Sequence, residues 1–204
     1  MSGLRACLLS GGASRRMGTD KALLPHPAGG TWLTFSLAQL AGLPLPITLF
    51  SHHRAHLALA RPLRDGLGDG ISVLEEPPPR EGPLLALERL MHHYPDQDLL
   101  LCPVDMPWLA TTALQALVAT ATGATATPCG PAAIHLADDG RRLQPLLGVY
   151  PASASRRLGL RAFTAAGGRR LQDWLAGEEV VAVSLPARGL RNANRPDDAT
   201  ALWP

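Results

Sequence analysis

The segment that most constrains this chain follows its first apolar run. Residues 4–9 form a short apolar run, as in a buried strand. They lead into residues 11–21, which contain three glycines, two arginines and a lysine. Glycines let backbone amides approach a ligand closely and fixed cations attract anions, so this composition at a strand end is typical of a phosphate-binding loop. The alternative is an ordinary surface loop whose charges are solvated.

Neither common phosphate-binding motif is present in this loop. The G-x-x-x-x-G-K-[ST] motif requires a lysine directly after Gly18, where Thr19 stands, and the chain has no G-x-G-x-x-G. Arg15, Arg16 and Lys21 together carry enough positive charge to neutralise a triphosphate. The sequence therefore predicts a nucleotide-binding geometry of another kind.

The length and charge of the chain limit the classes of function. Its 204 residues are enough for one sizeable α/β domain, and 19 Lys and Arg against 17 Asp and Glu leave a net charge of +2. That balance gives no general attraction to nucleic acid or to a membrane. The three cysteines lack C-x-x-C spacing, and no leader or 18-residue apolar span is evident, so we expect a cytoplasmic protein with reduced thiols.

Hydrophobic periodicity and turn residues predict an alternating order of strands and helices. Strands are predicted at residues 4–9, 46–50, 71–74, 98–102, 124–127, 134–136, 143–150 and 180–185. Helices are predicted at residues 32–41, in a stretch that follows residues 51–54 and ends at about residue 61, and at residues 82–94, 111–120, 151–166 and 171–175. A last helical turn is predicted near the end of the sequence. We predict an α/β fold: a single three-layer Rossmann-like domain with a mostly parallel central sheet and antiparallel additions in the C-terminal half.

A single acid, Asp105, follows the strand predicted at residues 98–102 and lies between Pro103 and Pro107. Ligands of open α/β sheets bind beyond the carboxyl ends of the strands, so Asp105 and the glycine-rich loop are expected to face one crevice. Mg²⁺ is often held by one or two carboxylates together with substrate phosphates, which makes Asp105 a candidate metal ligand. From spacing alone, a helix N-cap or turn aspartate is an equal alternative.

Other chemical groups have simpler interpretations. His52 and His56 are four residues apart and, with His53, suit a transition metal if helical, but solvated histidines at a helix start are the favoured interpretation. Glu75 and Glu76 are interpreted as charges that end a strand rather than as a general acid and base. No Ser/His/Asp or Cys/His set stands out, and cysteines in apolar runs leave no candidate for a covalent nucleophile.

One long motif resembles a known enzyme family. Leu9-Ser10-Gly11-Gly12-x-Ser14-x-Arg16-Met17-Gly18-x-Asp20-Lys21 is similar to the L-x-G-G-x-S-x-R-M-G-x-D-K signature of the nucleotidyltransferases that include molybdenum cofactor guanylyltransferase. Later segments agree in order, namely Gly82-Pro83-Leu84, Cys102-Pro103-Val104-Asp105-Met106-Pro107, Gln144-Pro145 and Asn192-x-Asn194-x-Pro196-x-Asp198. Together these segments span essentially the whole chain.

The resemblance implies one nucleotidyltransferase domain over residues 1–204, with the nucleotide in about 1–110 and a pterin substrate in about 111–204. The GTP-binding residues that it implies are Leu9, Ser10, Gly11, Gly12, Lys21, Ser51, Glu76 and Asp105. Lys21, Arg16 and Asp105 would be catalytic, with Asp105 also holding Mg²⁺, and Asn192 and Asn194 would lie on the pterin side.

The motif also bears on the choice of base. Gly11-Gly12 resembles the guanylyl-transferring members, whereas the related cytidylyltransferases usually have Ala-Gly there. The chain departs from the family at two positions: Ser51 replaces the usual Asn, and Glu76 replaces the usual Asp. A shorter and a longer side chain predict a reshaped guanosine pocket.

By this resemblance the chain is a Mg²⁺-dependent guanylyltransferase that moves GMP from GTP to the terminal phosphate of molybdopterin. Mg²⁺ on Asp105, with Lys21 and Arg16, would offset the developing charge, and no general base is needed. Molybdoenzymes or their chaperones are candidate recipients of the product, and neither nucleic acid nor a membrane is expected as a partner. The alternatives are transfer from CTP or to another phosphorylated acceptor, and a nucleotide-binding homologue without catalysis.

Overall fold

The structure is a computed structural model that describes residues 3–12, 19–66, 71–78, 82–123 and 132–193. The strands in these ranges are β1 (Gly3–Leu9), β2 (Ile47–Ser51), β3 (Ile71–Glu75), β4 (Gln97–Pro103), β5 (Ile134–Asp138), β6 (Leu143–Tyr150) and β7 (Val180–Ser184). The helices are α1 (Trp32–Ala41), α2 (Arg54–Gly66), α3 (Pro83–His93), α4 (Thr111–Gly123), α5 (Ala154–Ala165) and α6 (Leu171–Leu175). A 3₁₀ turn (Lys21–Leu23) precedes α1.

The described strands form one sheet in the order β3-β2-β1-β4-β6-β5-β7. β1 pairs in parallel with β2 and β4, β2 with β3, and β5 with β7. β6 is antiparallel to both of its neighbours, β4 and β5. Within the described residues, therefore, only β6 runs against the common direction, which confirms the predicted mostly parallel sheet with antiparallel additions.

Helices cover both faces of this sheet and give the three predicted layers. Side chains of α1, α2 and α4 form one apolar core, and those of α3, α5 and α6 form the other. β4 serves both cores, because Leu100 and Cys102 point to the first and Leu99 and Leu101 to the second. A strand that is buried on both faces has a continuous apolar sequence, as the run at residues 98–102 does.

Several boundaries differ from the predicted ones for local reasons. α4 continues to Gly123 rather than ending at Thr120, and within it Thr120 and Thr122 donate their hydroxyls to carbonyls one turn back. α5 begins three residues late, where Ser153 caps it by accepting a hydrogen bond from Arg156 N. The predicted strand at 124–127 and the last helical turn lie outside the described residues. None of the described helices has the length and apolar character of a membrane span.

The sheet register brings three strand ends level with one another. Leu9, the last residue of β1, lies opposite Phe50 of β2 and Pro103 of β4. Backbone hydrogen bonds extend this contact beyond the strands, because Ser10 N donates to Phe50 O at 3.1 Å and Val104 N donates to Leu9 O at 3.2 Å. The segments that follow β1, β2 and β4 therefore open at the same edge of the sheet, as expected for a parallel sheet.

The two cysteines that the structure describes are core residues. Cys7 in β1 and Cys102 in β4 are both buried, and burial raises the pKa of each thiol to about 12. Since the thiolate is the reactive form, neither side chain is suited to nucleophilic chemistry near neutral pH. The burial of these two agrees with their apolar sequence surroundings, and Cys129 lies outside the described residues.

This burial predicts resistance to alkylation. In a Cys129→Ser variant, which removes the third thiol, iodoacetamide at pH 8 is expected to leave Cys7 and Cys102 unmodified, because only about one thiol in ten thousand is ionised at that pH. Both are expected to react once the protein is denatured. Mass spectrometry before and after denaturation measures this, and labelling of the folded protein at the rate of a free thiol would contradict the burial.

Candidate functional site

A cavity of about 430 Å³ lies at the shared edge where β1, β2 and β4 end. Its wall includes six of the eight residues predicted to bind GTP: Leu9, Gly11, Gly12, Lys21, Glu76 and Asp105. Phe50, His52, Pro83 and Leu146 also line it. The structure therefore brings the described ends of the glycine-rich loop and the acid after β4 into one crevice, as the strand order predicted.

Lys21 and Asp105 form an ion pair in the wall of this cavity. The Lys21 Nζ atom lies 2.8 Å from Asp105 Oδ2, and both side chains are largely but not fully shielded from solvent. Lys21 begins the 3₁₀ turn and Asp105 lies in the turn after β4, so the pair joins two loops that are far apart in sequence. A cation and a carboxylate are thereby held side by side in the cavity wall.

Asp105 is not a helix N-cap, since α4 begins six residues later, at Thr111. Its turn is held in place by His26, which is buried and contacts Pro107 O through Nε2 at 2.9 Å. The other ring nitrogen of His26 accepts a hydrogen bond from Ala28 N at 3.1 Å, so Nε2 carries the proton and donates to Pro107. The His26 ring also stacks on Phe35, with ring centroids 3.7 Å apart. These contacts fix the segment that presents the Asp105 carboxylate.

Glu76 forms another part of the cavity wall and is almost fully buried. Its Oε2 atom lies 3.2 Å from His52 Nδ1, and its Oε1 atom lies 3.5 Å from Arg89 Nη1. Gly11 packs directly against this carboxylate, because a Cβ atom at residue 11 would lie 2.6 Å from Glu76 Oε2. A side chain at residue 11 would therefore displace the Glu76 carboxylate, which glycine allows to approach the loop backbone closely.

The neighbouring acid, Glu75, is exposed and lines a different surface groove. The two consecutive glutamates thus differ in burial as well as in the pocket that they line. The interpretation of Glu75 as a charge that ends a strand agrees with this placement, whereas Glu76 belongs to the cavity.

Ser10 and Ser51 lie beneath the cavity rather than in its wall. Both are buried, and Ser51 is completely inaccessible to solvent. The Ser51 hydroxyl donates to Ser10 O at 3.4 Å and accepts from His53 N at 3.1 Å. Ser51 therefore forms its hydrogen bonds with neighbouring protein groups. The predicted contacts of Ser10 and Ser51 with a nucleotide stay predictions.

The interpretation of His56 as a solvated histidine is wrong. Its side chain is fully buried, with Nε2 lying 2.7 Å from Asp20 Oδ2 and Nδ1 lying 3.1 Å from Ser10 Oγ. The sequence carried a signal for this burial, since His56, Leu57 and Ala60 follow the spacing of one helix face and are all buried. A Ser/His/Asp arrangement is thus present, although the sequence analysis singled out none, because its members come from separate segments.

This arrangement does not provide a nucleophile, because Ser10 is only 2% exposed and does not line the cavity. His52 and His53 are partly exposed, and burial lowers the pKa of His53, with the adjacent His52 and His56 lowering it further. Within the described ranges, no group of three or more His, Cys, Asp or Glu side chains is placed to hold a metal ion. The transition-metal alternative for the histidines therefore finds no support.

A second cavity, of about 330 Å³, adjoins the first. The residues that line both cavities are Pro83, Pro103, Asp105 and Leu146. Polar side chains of the second cavity are Arg142, Gln144, Arg170, Gln172 and Asn192. Asp105 therefore lies where a pocket built by the first half of the chain meets one built largely by the second half.

Asn192 is brought to this junction by a backbone contact. Ala193 N donates a hydrogen bond to Asp105 O at 2.9 Å, and Ala193 is completely buried. The predicted pterin-side residue Asn192 thus lies in the wall of the second cavity, next to Asp105. Two other predicted site residues, Arg16 and Asn194, lie outside the described residues.

Comparison with known proteins identifies the family. The model of the MobA-like NTP transferase domain matches residues 6–181 of the chain. A protein from Rhodopirellula baltica named "probable molybdenum cofactor guanylyltransferase" is 34% identical, over 96% of this chain and 89% of that protein.

Solved structures share the fold. The molybdopterin-guanine dinucleotide biosynthesis protein A of Archaeoglobus fulgidus superposes with a TM-score of 0.71 at 16% identity, over 97% of this chain and 96% of that chain. A nucleotidyl transferase from Methanothermobacter gives a TM-score of 0.75 at 17% identity, over 99% of this chain and 96% of that chain. With the match of the family model and the identity to the curated relative, these likenesses show that the chain belongs to the MobA-like NTP transferase family and is a nucleotidyltransferase.

Proposed function

We propose that this nucleotidyltransferase is a Mg²⁺-dependent guanylyltransferase that transfers GMP from GTP to the terminal phosphate of molybdopterin. The observation that carries the proposal is the Lys21–Asp105 pair at the junction of two cavities. One cavity then holds the nucleotide and the other holds the acceptor, and their reacting groups meet beside a cation and a carboxylate. The name of the Rhodopirellula relative supports the same activity.

The first cavity suits a nucleoside triphosphate in size and chemistry. Its volume of about 430 Å³ lies in the usual range for pockets that bind small molecules. Gly11 and Gly12 line it with backbone only, and the Lys21 ammonium lies beside them. Backbone amides and an ammonium are the groups that hold phosphates, so we place the triphosphate along this wall.

Glu76 supports guanine as the base. An ionised carboxylate only accepts hydrogen bonds, and its two oxygens match two adjacent donors. The Watson–Crick edge of guanine offers such a pair, N1–H and the 2-amino group, whereas that of cytosine offers one amino donor beside two acceptors. His52 and Arg89 each contact one oxygen of the Glu76 carboxylate, which fixes its orientation in the wall.

The junction also fits a Mg²⁺ ion that arrives with the nucleotide. Asp105 presents its carboxylate to both cavities, and Mg²⁺ is often bound by one or two carboxylates together with substrate phosphates. The described residues include no larger cluster of metal-ligating side chains, which agrees with an ion held mainly by the substrate. When bound there, Mg²⁺ supplies charge neutralisation for the phosphate oxygens.

The residues of the chain account for the transfer by positioning and electrostatics. A terminal phosphate oxygen of molybdopterin, held in the second cavity, forms a bond to the α-phosphorus of GTP. The bond from that phosphorus to the bridging oxygen breaks, and pyrophosphate leaves. Lys21, with Arg16 from the undescribed part of the loop, offsets the charge that develops. The attacking phosphate is already ionised near neutral pH, so no general base is required.

The second cavity suits the pterin end of the acceptor. Asn192 and Gln144 line it with amide groups, which both donate and accept hydrogen bonds, as the edge of a pterin ring requires. The resemblance at Asn192-x-Asn194 assigns Asn194 to the pterin side as well. Molybdoenzymes or their chaperones are the proposed recipients of the dinucleotide.

The direct test is an assay of nucleotide choice. Purified protein incubated with molybdopterin, Mg²⁺ and each nucleoside triphosphate in turn is expected to release pyrophosphate with GTP, and molybdopterin guanine dinucleotide should appear in equal amount. Omission of molybdopterin or of Mg²⁺ should abolish release. Release with CTP in preference to GTP would refute the guanine assignment, and nucleotide binding without release would refute the catalytic one.

Removing either member of the ion pair is expected to disable transfer. Lys21→Met keeps the apolar stem and loses the cation, and Asp105→Asn keeps the shape and loses the charge, so each should lower kcat about a hundredfold or more. Arg161→Met removes an exposed cation that lines neither cavity and serves as the control. Steady-state pyrophosphate release and thermal unfolding are measured for all three. Full activity in a folded Lys21→Met or Asp105→Asn protein would contradict the assigned roles.

Glu76→Gln is expected to weaken the preference for GTP. The amide replaces one acceptor with a donor, so kcat/KM for GTP should fall about tenfold or more while that for CTP changes less. Glu75→Gln, a change of the same kind at the adjacent exposed residue, should leave both values near those of the wild type. An unchanged ratio of GTP to CTP turnover in Glu76→Gln would exclude this carboxylate from base recognition.

A further inference from the structure

His56 contacts three polar groups from three segments, although it lies below the cavity. It is in the first turn of α2, and its side chain is 0% exposed. Its Nδ1 atom lies 3.1 Å from both Ser10 Oγ and Ser51 Oγ, at the ends of β1 and β2. Its Nε2 atom lies 2.7 Å from Asp20 Oδ2. His56 thus links two strand ends to the residue that precedes Lys21.

With a neutral His56 ring, the hydrogen bonds around it have a consistent placement of the protons. Asp20 as a carboxylate only accepts, so His56 Nε2 carries a proton and donates it to Asp20. The Ser51 hydroxyl donates to Ser10 O, which leaves the Ser10 hydroxyl as the donor to His56 Nδ1. Every polar atom of the ring is then satisfied inside the protein, as a fully buried imidazole requires.

Asp20 connects His56 to the 3₁₀ turn that contains Lys21. One carboxylate oxygen, Oδ2, accepts from His56, and the other, Oδ1, accepts from Ala22 N at 3.1 Å as the N-cap of the 3₁₀ turn. The carbonyl of Asp20 also accepts from Leu23 N at 3.1 Å. The first turn after the glycine-rich loop is therefore fastened to the sheet through one carboxylate.

We propose that His56 is the positioning residue for Lys21. By holding Asp20 from the strand ends, His56 fixes the 3₁₀ turn, and the turn directs the Lys21 ammonium to Asp105 at 2.8 Å. The inference rests on the proposed function in that Lys21 is taken to act on the phosphates of the nucleotide. His56 itself does not line the cavity and acts only through Asp20.

The exposure of Asp20 explains why the turn depends on His56. The Asp20 side chain is 28% exposed, whereas that of His56 is completely buried. Without the imidazole, the carboxylate is free to turn towards solvent and to release Ala22 N. The backbone position of Lys21 is then no longer fixed. A small displacement of a group that stabilises a transition state lowers the reaction rate far more than it lowers substrate affinity.

The test compares two substitutions at residue 56 with a matched control. His56→Phe keeps an aromatic ring and removes both nitrogens, and His56→Gln restores a single amide donor for Asp20. His135→Phe makes the same change at another buried histidine, on β5, which lines neither cavity. We expect His56→Phe to lower kcat about tenfold with KM for GTP nearly unchanged, His56→Gln to recover most of that loss, and His135→Phe to leave kcat as in the wild type.

A second readout follows the turn without reference to activity. The sequence contains one lysine, Lys21, so protein labelled with carbonyl-¹³C lysine and ¹⁵N alanine gives one peptide-bond NMR signal, that of the Ala22 amide. We expect this amide to exchange with solvent at least about tenfold faster in His56→Phe than in the wild type, and at an intermediate rate in His56→Gln. In Asp20→Asn the side-chain amide places an N–H donor opposite the donor of either His56 or Ala22, so we expect the same increase in exchange. This variant replaces His56→Phe if the latter does not fold.

The outcomes separate this inference from the proposed function. Unchanged exchange at Ala22 in the folded variants overturns the role of His56, whatever the activity. Faster exchange with kcat within twofold of the wild type also overturns it, as does a loss in His135→Phe equal to that in His56→Phe. A wild-type protein that transfers no GMP refutes the proposed function instead, and the Ala22 exchange rates then decide alone whether His56 holds the turn.

Discussion

The ion pair between Lys21 and Asp105 is the contact on which the organisation of the site depends. It spans 2.8 Å between a turn after β1 and a turn after β4, and the sheet order makes it possible, because these two strands are parallel neighbours whose ends are level. The pair lies where the two cavities meet. Lys21 lines the first cavity and Asp105 lines both, so one short contact connects nucleotide, metal and acceptor in the proposed mechanism.

Much of the fold was predictable because its determinants are local. The helix predicted at residues 32–41 has the observed bounds, since Thr31 caps its start and Gly42 ends it. The strand before Asp105 was predictable from a continuous apolar run, and the meeting of Asp105 with the glycine-rich loop followed from the rule that parallel strands open at one edge. Alternation of strands and helices, followed by one hairpin, was enough to indicate a mostly parallel sheet.

The parts that sequence missed are those set by contacts between distant segments. His56 was interpreted as solvated because it stands at a predicted helix start, whereas its partners come from residues 10, 20 and 51. Gly11 was associated with the choice of base, but in the structure it also lets the Glu76 carboxylate lie where a Cβ atom would be only 2.6 Å away. Residue types and spacing indicate which groups are present, and only the packed structure shows which group occupies the space beside another.

The most direct test of the account measures the accessibility of Lys21, the one lysine in the sequence. Its amine can be labelled with a limiting amount of an acylating reagent at mildly alkaline pH, with and without saturating Mg²⁺ and GTP, and quantified by peptide mass spectrometry. The account predicts strong protection by Mg²⁺ with GTP, and little protection by Mg²⁺ with CTP or by molybdopterin alone. Labelling of Lys21 at an undiminished rate in protein that has demonstrably bound GTP would contradict the central claim that this amine holds the triphosphate.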